Sequence, residues 1–326
     1  MPQTGPRNLI TDVPGLKVGN AEDSAAITGV TVILPDQPCV AAADVRGGGP
    51  GTREIHVMDP ENLVDRIDAV VLSGGSAFGL DAAGAVMNRL AQRGRGFAVG
   101  PHRIPIVPAA ILFDLMNGGA KDWGEDPPYR QLGRAALDAV AEDFTLGNVG
   151  AGMGATAGPL KGGLGSASLV LDDGTGVGAL VAANPTGSVV MGDGRTFWAW
   201  ALERDGEFGG NPPPGGTSPD DSGAATALPG ANTTIAVVAT DATLSKGQAR
   251  RVAMMAQDGL ARAVRPIHTP FDGDTVFALS TARRNGEIDP AALSQIGAAA
   301  ADCLARAVAR AVWFAEPVGS IPAYRS

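Results

Sequence analysis

Hydrophobic positions in the first half of the chain follow two alternating spacings. Residues 77–92 carry apolar side chains every three or four positions, which predicts a helix. A second helix is predicted at 129–142, because Asp126 followed by Pro127 is a typical helix start. Continuous apolar runs predict strands at 68–72, 95–99 and 104–112. The first half therefore alternates strand and helix.

The second half continues the alternation. Ser245 and Gln248 form a capping box that begins a helix, and Asp289 with Pro290 begins a long Ala-rich one. The predicted helices end at about residues 263 and 314, and the predicted strands are 167–171, 178–183, 233–239 and 275–280. Strands and helices with apolar faces throughout predict an α/β protein whose sheets are covered by helices.

Two segments interrupt the pattern. Residues 147–165 are dense in glycine and are predicted to form a loop. Residues 207–231 are rich in Gly, Pro, Ser and Asp, which disfavour helix and strand, and predict an exposed linker. A loop of that length in a compact protein is often functional.

Composition excludes several classes of protein. The chain has 326 residues with 25 Lys plus Arg and 34 Asp plus Glu, a net charge of −9, and 44% hydrophobic residues. An acidic globular chain without a basic cluster is not expected to bind nucleic acid or an anionic membrane. Two cysteines, Cys39 and Cys303, cannot make a disulfide framework or a four-ligand zinc site. We find no signal-like or membrane-spanning run, so a cytoplasmic protein is expected.

Two familiar motifs fail in their context. Residues 152–157 fit a dinucleotide-binding pattern, but no strand precedes them closely and Gly158 and Pro159 follow where a helix is required. Ser76 lies at a strand-to-helix turn like a nucleophile elbow, but Phe78 replaces the closing glycine. A Ser76 hydrolase is therefore weakly supported.

Histidine is scarce, with three in the whole chain. A hydrolase can replace a histidine base with the α-amino group of its own nucleophile, whose reference pKa is about 7.7–8.0. Such a nucleophile must begin a chain, which requires cleavage of a precursor. Thr233, in Asn232-Thr233-Thr234, directly follows the predicted linker and begins a predicted strand. The simpler alternative is a strand that starts with threonines.

Asp272 and Asp274 flank Gly273 just before a predicted strand. The pair fits a turn, a cation-binding loop, or two carboxylates that orient a hydroxyl and an ammonium. In an extended segment both side chains point to the same side, which suits joint action on one group.

These motifs together resemble the autoprocessing L-aminopeptidase/D-amidase-esterase family, and within it most closely the nylon-oligomer (6-aminohexanoate oligomer) hydrolases. The resemblance covers nearly the whole chain. It is carried by SGGSAFGLD at 73–81, LGRAAL at 132–137, GNVGAG at 147–152, KGGLG at 161–165, NTTIAVVATD at 232–241 and DGDT at 272–275.

The resemblance implies a four-layer αββα sandwich of the kind shared with ornithine acetyltransferases and N-terminal-nucleophile hydrolases. It implies a precursor that cuts itself into a large fragment, 1–232, and a small fragment, 233–326, which remain one folded unit. It also implies a homotetramer of cleaved protomers, which the Ala-rich helix suits, and a small amide or peptide substrate. No metal or cofactor is required.

Position by position, the resemblance makes Thr233 the nucleophile and Asn232 the new C-terminus. Asn184 matches the asparagine that faces the oxyanion, together with a backbone N–H from the 147–154 loop. Lys161 matches a lysine near the nucleophile.

The same comparison gives Asp272 and Asp274 the role of holding the ammonium and fixing the hydroxyl. Phe113 stands where the nylon hydrolases have a tyrosine, and it is expected to contact substrate with Gly150 and Gly152.

Two other functions are consistent with these residues. One is an N-acyltransferase of the ornithine-acetyltransferase type, which shares the fold and the threonine chemistry. The other is a non-catalytic binding protein in which Thr233 merely begins a strand.

Overall fold

The computed structural model describes residues 1–215 and 232–326. The helices are α1 (Asp81–Gln92), α2 (Tyr129–Asp138), α3 (Lys246–Ala263) and α4 (Pro290–Trp313). The strands are β1 (Gln3–Thr4), β2 (Leu16–Asp23), β3 (Thr28–Pro35), β4 (Val40–Val45), β5 (Thr52–Arg53), β6 (Val70–Ser73), β7 (Phe97–Val99), β8 (His102–Ile104), β9 (Ala109–Ile111), β10 (Thr156–Ala157), β11 (Leu160–Lys161), β12 (Gly163–Val170), β13 (Gly176–Ala183), β14 (Ile235–Ala242) and β15 (Thr275–Arg284).

Two large sheets form within these ranges. One has six strands in the order β1-β12-β13-β14-β15-β4, and the other has five in the order β2-β3-β6-β9-β5. At the centre of the six-stranded sheet, β14 and β15 are parallel neighbours, with Ile235 opposite Thr275. Because neighbouring parallel strands begin at the same end of a sheet, the residues that precede Ile235 lie close to those that precede Thr275.

The sheets stack face to face, and a pair of helices covers each outer face. Helices α3 and α4 pack on the six-stranded sheet, and α1 and α2 pack on the five-stranded sheet. Strand β14 shows the alternation: Ile235 and Val237 belong to the apolar cluster between the sheets, whereas Ala236 and Val238 belong to the cluster under α3 and α4. A third cluster lies under α1 and α2. The expected αββα sandwich is confirmed.

The predicted helix starts and stops are correct where capping is local. Helix α3 begins after the Ser245–Gln248 capping box, and α4 begins after Asp289, whose side chain accepts from the Ala292 N–H. Asp126, however, does not cap α2, because Pro128 holds the N-cap position without a side-chain bond. This helix ends at Asp138 rather than at residue 142.

Three predicted segments differ from the structure. Residues 95–99 do not join a large sheet, because β7 and β8 form a separate exposed hairpin that turns at Gly100, with φ of 56°. Only Ala109–Ile111 of the 104–112 run is a core strand. The glycine-dense segment 147–165 already contains the start of β12. Its glycines permit close packing, since a Cβ at Gly165 would lie 1.9 Å from the Ala307 carbonyl oxygen of α4.

The predicted linker at 207–231 falls mostly on residues 216–231, which lie outside the described residues. Its first residues are not exposed. The Glu207 carboxylate lies 2.5 Å from Nε of the buried Arg306, and the buried Phe208 ring packs on Phe197. Burial of this ion pair and ring places residues 207 and 208 in the folded core.

The Ala-rich helix α4 uses its small residues inside the protomer. Most of the helix is buried, and it packs on β12, β13 and α3. A Cβ at Gly259 of α3 would lie 2.2 Å from the Ala301 carbonyl oxygen, so the two helices are in close contact. The buried small residues of helix α4 therefore pack within the protomer. None of the helices in the described ranges is both long and apolar enough to cross a membrane.

Candidate active site

Thr233 lies just before the first residue of the central strand β14, and it is 3% exposed. Its backbone N–H donates to the Asn184 carbonyl oxygen at 2.7 Å. Its Oγ accepts from the Gly273 N–H at 3.0 Å and donates to the carbonyl oxygen of Asn232. The hydroxyl is thus held against the peptide bond that precedes it.

The fully buried Asp272 carboxylate holds two segments together. One oxygen accepts from the Thr186 N–H at 3.0 Å and from the Thr186 hydroxyl at 2.9 Å. The other accepts from the N–H of Thr269 at 3.0 Å and from its hydroxyl. All strong acceptor positions of this carboxylate are directed at structural donors.

The Asp274 carboxylate is also fully buried and reaches different groups. One oxygen accepts from the Thr234 N–H at 2.7 Å, and the other lies 3.1 Å from the His268 backbone nitrogen and 2.8 Å from His268 Nδ1. Burial raises the pKa of Asp274; the His268 hydrogen bond opposes this rise, and the nearby Asp272 adds to it. His268 Nε2 is buried and has no partner among the described residues.

In the uncleaved chain neither carboxylate contacts the Thr233 hydroxyl, and the two have different partners. The expected contact with the Thr233 ammonium concerns the cleaved chain, because that group forms only on cleavage. The group from this loop that touches the Thr233 hydroxyl is the Gly273 N–H. Asp272 and Asp274 hold that N–H in place.

A triple-glycine loop supports the same turn, and the sequence analysis did not identify it. The Arg46 N–H donates to the Asp274 carbonyl at 3.0 Å, and the Gly49 N–H donates to the Asp272 carbonyl at 2.8 Å. A Cβ on Gly47 would lie 2.3 Å from the Asp274 nitrogen. The run of three glycines at 47–49 was the available signal.

Asn184 lies just after β13 and contacts the site through two groups. Besides its carbonyl, its side-chain Oδ1 accepts from the Thr156 N–H at 2.7 Å, and its Nδ2 donates to the Phe113 carbonyl at 3.1 Å. Because the Thr156 N–H can only donate, the amide orientation is determined. One N–H of Nδ2 remains for another acceptor.

Lys161 is fully buried in β11, next to the start of β12. Its Nζ donates to the carbonyls of Gly152 and Gly162, both at 2.9 Å. Burial lowers the pKa of Lys161 to about 7, and the Asp114 carboxylate opposes only part of that shift. A neutral amine has two N–H groups, which these carbonyls satisfy, and a lone pair that can accept a proton.

Gly150 and Gly152, which were expected to contact substrate, are buried and closely packed against other residues. A Cβ on Gly150 would lie 2.2 Å from the Thr31 hydroxyl, and one on Gly152 would lie 2.0 Å from the Leu164 nitrogen. The N–H groups of residues 150–153 all donate within the protein. They are therefore not free to stabilise an oxyanion, because the segment is packed between the sheets.

A cleft of about 300 Å³ opens beside the Thr233 peptide bond. Its lining includes Asn232, so it lies on the acyl side of that bond. Phe113 lines it as expected, and Gly154 does so in place of the two buried glycines. Other lining residues include Asp114, Met116, Thr156, Ile321 and Pro322.

Comparisons with known proteins identify the family. Residues 8–323 match Peptidase family S58. An uncharacterized aminopeptidase of Mycobacterium tuberculosis is 46% identical, with 98% of this chain and 97% of that protein covered. A 6-aminohexanoate-oligomer endohydrolase of Kocuria sp. is 30% identical, with coverage of 85% and 76%.

A solved structure gives the same result for the fold. The L-aminopeptidase D-Ala-esterase/amidase of Ochrobactrum anthropi, described as a variant of the Ntn hydrolase fold, aligns with a TM-score of 0.72 at 26% identity. The alignment covers 98% of this chain and 90% of that chain.

Proposed function

The chain belongs to peptidase family S58 and is a hydrolase of amide or peptide bonds, and we propose that it cuts itself between Asn232 and Thr233 and then uses Thr233 as its N-terminal nucleophile. The observation that carries the proposal is the Thr233 hydroxyl, which is hydrogen-bonded to the carbonyl of Asn232 and oriented by the Gly273 N–H.

Self-cleavage proceeds by an N-to-O acyl shift. Thr233 Oγ attacks the carbonyl carbon of Asn232, the C–N bond breaks, and the hydroxyl proton passes to the departing amine. Water then hydrolyses the ester, which leaves a carboxylate on Asn232 and restores the hydroxyl beside a free α-amino group. In later turnovers that amine is the base for its own hydroxyl.

The uncleaved chain needs another base, because the Thr233 nitrogen is then an amide. We assign this role to Lys161, because it matches a lysine near the nucleophile in the family that the sequence resembles and because burial lowers its pKa to about 7. Asn184 supplies the oxyanion donor through the unused N–H of its side-chain amide. A donor of this kind contributes about 3–4 kcal/mol to the transition state.

The substrate class we propose is a small amide or peptide with a free amine. It is supported by the 46% identity to a protein named as an aminopeptidase. The 30% identity to a 6-aminohexanoate-oligomer endohydrolase makes such oligomers the second candidate. Assays with amino-acid p-nitroanilides beside 6-aminohexanoate oligomers distinguish the two.

The test of the cleavage site is a denaturing gel with N-terminal sequencing. Wild-type protein should separate into fragments of 232 and 94 residues, the smaller one beginning at Thr233. Thr233→Ala should stay intact and lose activity by about 10⁴-fold or more, whereas Thr233→Ser should retain part of both functions.

Thr234→Val is the matched control, because the Thr234 hydroxyl is buried without a hydrogen-bond partner in the described residues. It should be processed normally. A fragment that begins at Thr234, or an intact wild-type chain that hydrolyses amides, would exclude the proposal.

We also propose a homotetramer of cleaved protomers in the cytoplasm. The tetramer rests on the family resemblance, and a reducing compartment is consistent with Cys39 and Cys303, which are buried and unpaired in the described residues. Light scattering that shows only monomers at micromolar concentration would contradict the tetramer.

A further inference from the structure

The cleft beside Thr233 has a wall that comes from the end of the chain. Ser320, Ile321 and Pro322 line it, although they lie beyond α4 and far from the other lining residues in sequence. Ile321 belongs to a tight turn in which it exchanges backbone hydrogen bonds with Val318, at 3.0 and 3.2 Å. These residues are part of the small fragment.

This C-terminal wall is fixed to the rest of the protein at two points. The Pro322 carbonyl accepts from the Lys161 N–H at 2.7 Å. Two residues later, the Tyr324 ring lies 4.5 Å from the Phe197 ring and 5.5 Å from the Trp313 ring between centroids, and its hydroxyl donates to the Arg195 carbonyl. A wall held in this way has a defined shape.

The precursor shows which part of a substrate meets the wall. Asn232 provides the acyl group in self-cleavage and lines the same cleft as Ile321. In the mature enzyme an external acyl group takes the place of Asn232, so it faces the same surfaces. The volume of about 300 Å³ suits a residue-sized group rather than a long chain.

The chemistry of the lining defines that group further. Phe113, Met116, Ile321 and Pro322 are apolar, and Asn117, Thr156 and Ser320 are polar but uncharged. Among the lining residues that the structure describes, the one ionisable side chain is Asp114, whose two oxygens already accept from the Thr28 hydroxyl at 2.6 Å and the Gly75 N–H at 2.8 Å. The lining therefore favours a compact, uncharged acyl side chain.

We propose that Ile321, supported by Pro322, is the specificity-determining wall of the acyl site, and that the preferred substrates are amides of amino acids with compact, uncharged side chains. This inference rests on the proposed function and identifies the substrate class of the same site.

The test compares Ile321→Ala and Ile321→Phe, with Ile104→Ala as the matched control. Ile104 is an exposed isoleucine on the β7–β8 hairpin, outside the cleft lining. Self-processing is scored on a gel, and kcat/KM is measured for the p-nitroanilides of Ala, Leu and Phe. Ile321→Ala enlarges the cleft and should raise the Phe-to-Ala ratio of kcat/KM about tenfold. Ile321→Phe narrows the cleft and should lower the Leu-to-Ala ratio about tenfold.

A structural role for Ile321 would change all three substrates equally, so unchanged ratios in processed enzyme would overturn the inference while leaving the proposed function intact. The inference would also be overturned if Ile104→Ala shifted the kcat/KM ratios as much as Ile321→Ala does. A wild-type chain that does not cleave itself would instead refute the proposed function, and with it the inference.

Discussion

At the scale of single residues, the His268 ring contacts the Asp274 carboxylate, which also binds the Thr234 N–H next to the nucleophile. The ring lies 2.8 Å from the carboxylate, and the His268 backbone adopts φ of 55°, a left-handed conformation that asparagine tolerates better than other non-glycine residues. An asparagine amide at this position can also donate to the carboxylate.

We therefore expect His268→Asn to retain most activity and His268→Leu to lose about 10- to 100-fold in kcat, because Asp274 then loses a donor and the Thr234 backbone it holds is less fixed. Steady-state kinetics on processed enzyme measures this. If the leucine variant matches wild type, His268 has no positioning role.

The burial of Lys161 leads to a prediction of how the stability of the protein depends on pH. Burial lowers its pKa from 10.5 in the unfolded chain to about 7 in the folded chain. The unfolded state therefore takes up a proton between these values while the folded state does not, so the contribution of Lys161 to stability declines as the pH falls from about 10.5 to about 7.

Lys161→Met should remove this contribution. In urea unfolding at pH 9.5 and pH 7, the wild-type protein should lose more stability on acidification than the variant does. Both proteins should also carry Thr233→Ala, which keeps the chain intact, so that every other titrating group is shared. An identical pH dependence would show that the lysine is not neutral when buried.

At the scale of structural elements, the loop at 47–49 determines the shape of the segment 272–274, whose Gly273 N–H binds the Thr233 hydroxyl. An added Cβ at Gly47 would lie 2.3 Å from the Asp274 nitrogen and 2.4 Å from the Asp272 oxygen, whereas one at Gly49 would meet nothing nearer than 3.8 Å. Gly47→Ala must displace the turn that presents the Gly273 N–H.

We expect Gly47→Ala to slow self-cleavage at least about 100-fold and Gly49→Ala to leave it unchanged. The intact fraction on a denaturing gel over time provides the rate. Equal behaviour of the two variants would mean that the turn does not depend on this loop.

At the scale of the whole molecule, the two proposed fragments are interwoven. Strands β14 and β15 lie between β13 and β4 in one sheet, so the small fragment supplies central strands to a sheet whose flanks belong to the large fragment. Arg306 adds a buried ion pair across the division, with its guanidinium 2.5 Å and 3.0 Å from the two oxygens of Glu207.

The cleaved fragments should consequently elute together in gel filtration without denaturant. Glu207→Ala should lower the free energy of unfolding by about 3–5 kcal/mol, because it leaves a buried guanidinium without its carboxylate. Glu142→Ala, which removes an exposed partner of Arg7, should cost at most about 1 kcal/mol. Equal losses in urea titrations would contradict a structural role for the buried pair.

The sequence alone determined the features that depend on neighbouring residues. The start of α3 follows from Ser245 and Gln248, and the start of α4 follows from Asp289, because a cap and the N–H it binds are three residues apart. Apolar periodicity predicted sheets covered by helices in the same way, and the family resemblance supplied the αββα arrangement. The family resemblance selected Thr233, and its place just before the central strand β14 agrees with that choice.

Only the tertiary structure decided which groups meet around Thr233. Asp272 accepts from Thr186, which is 86 positions away, and the Gly273 N–H reaches the Thr233 hydroxyl across 40 positions. Such contacts depend on the register between β14 and β15 and on the loop at 47–49, and these are set by packing of the whole sheet. For that reason the local pattern did not reveal that Asp272 binds Thr186 and that Asp274 binds Thr234 and His268 beside the nucleophile.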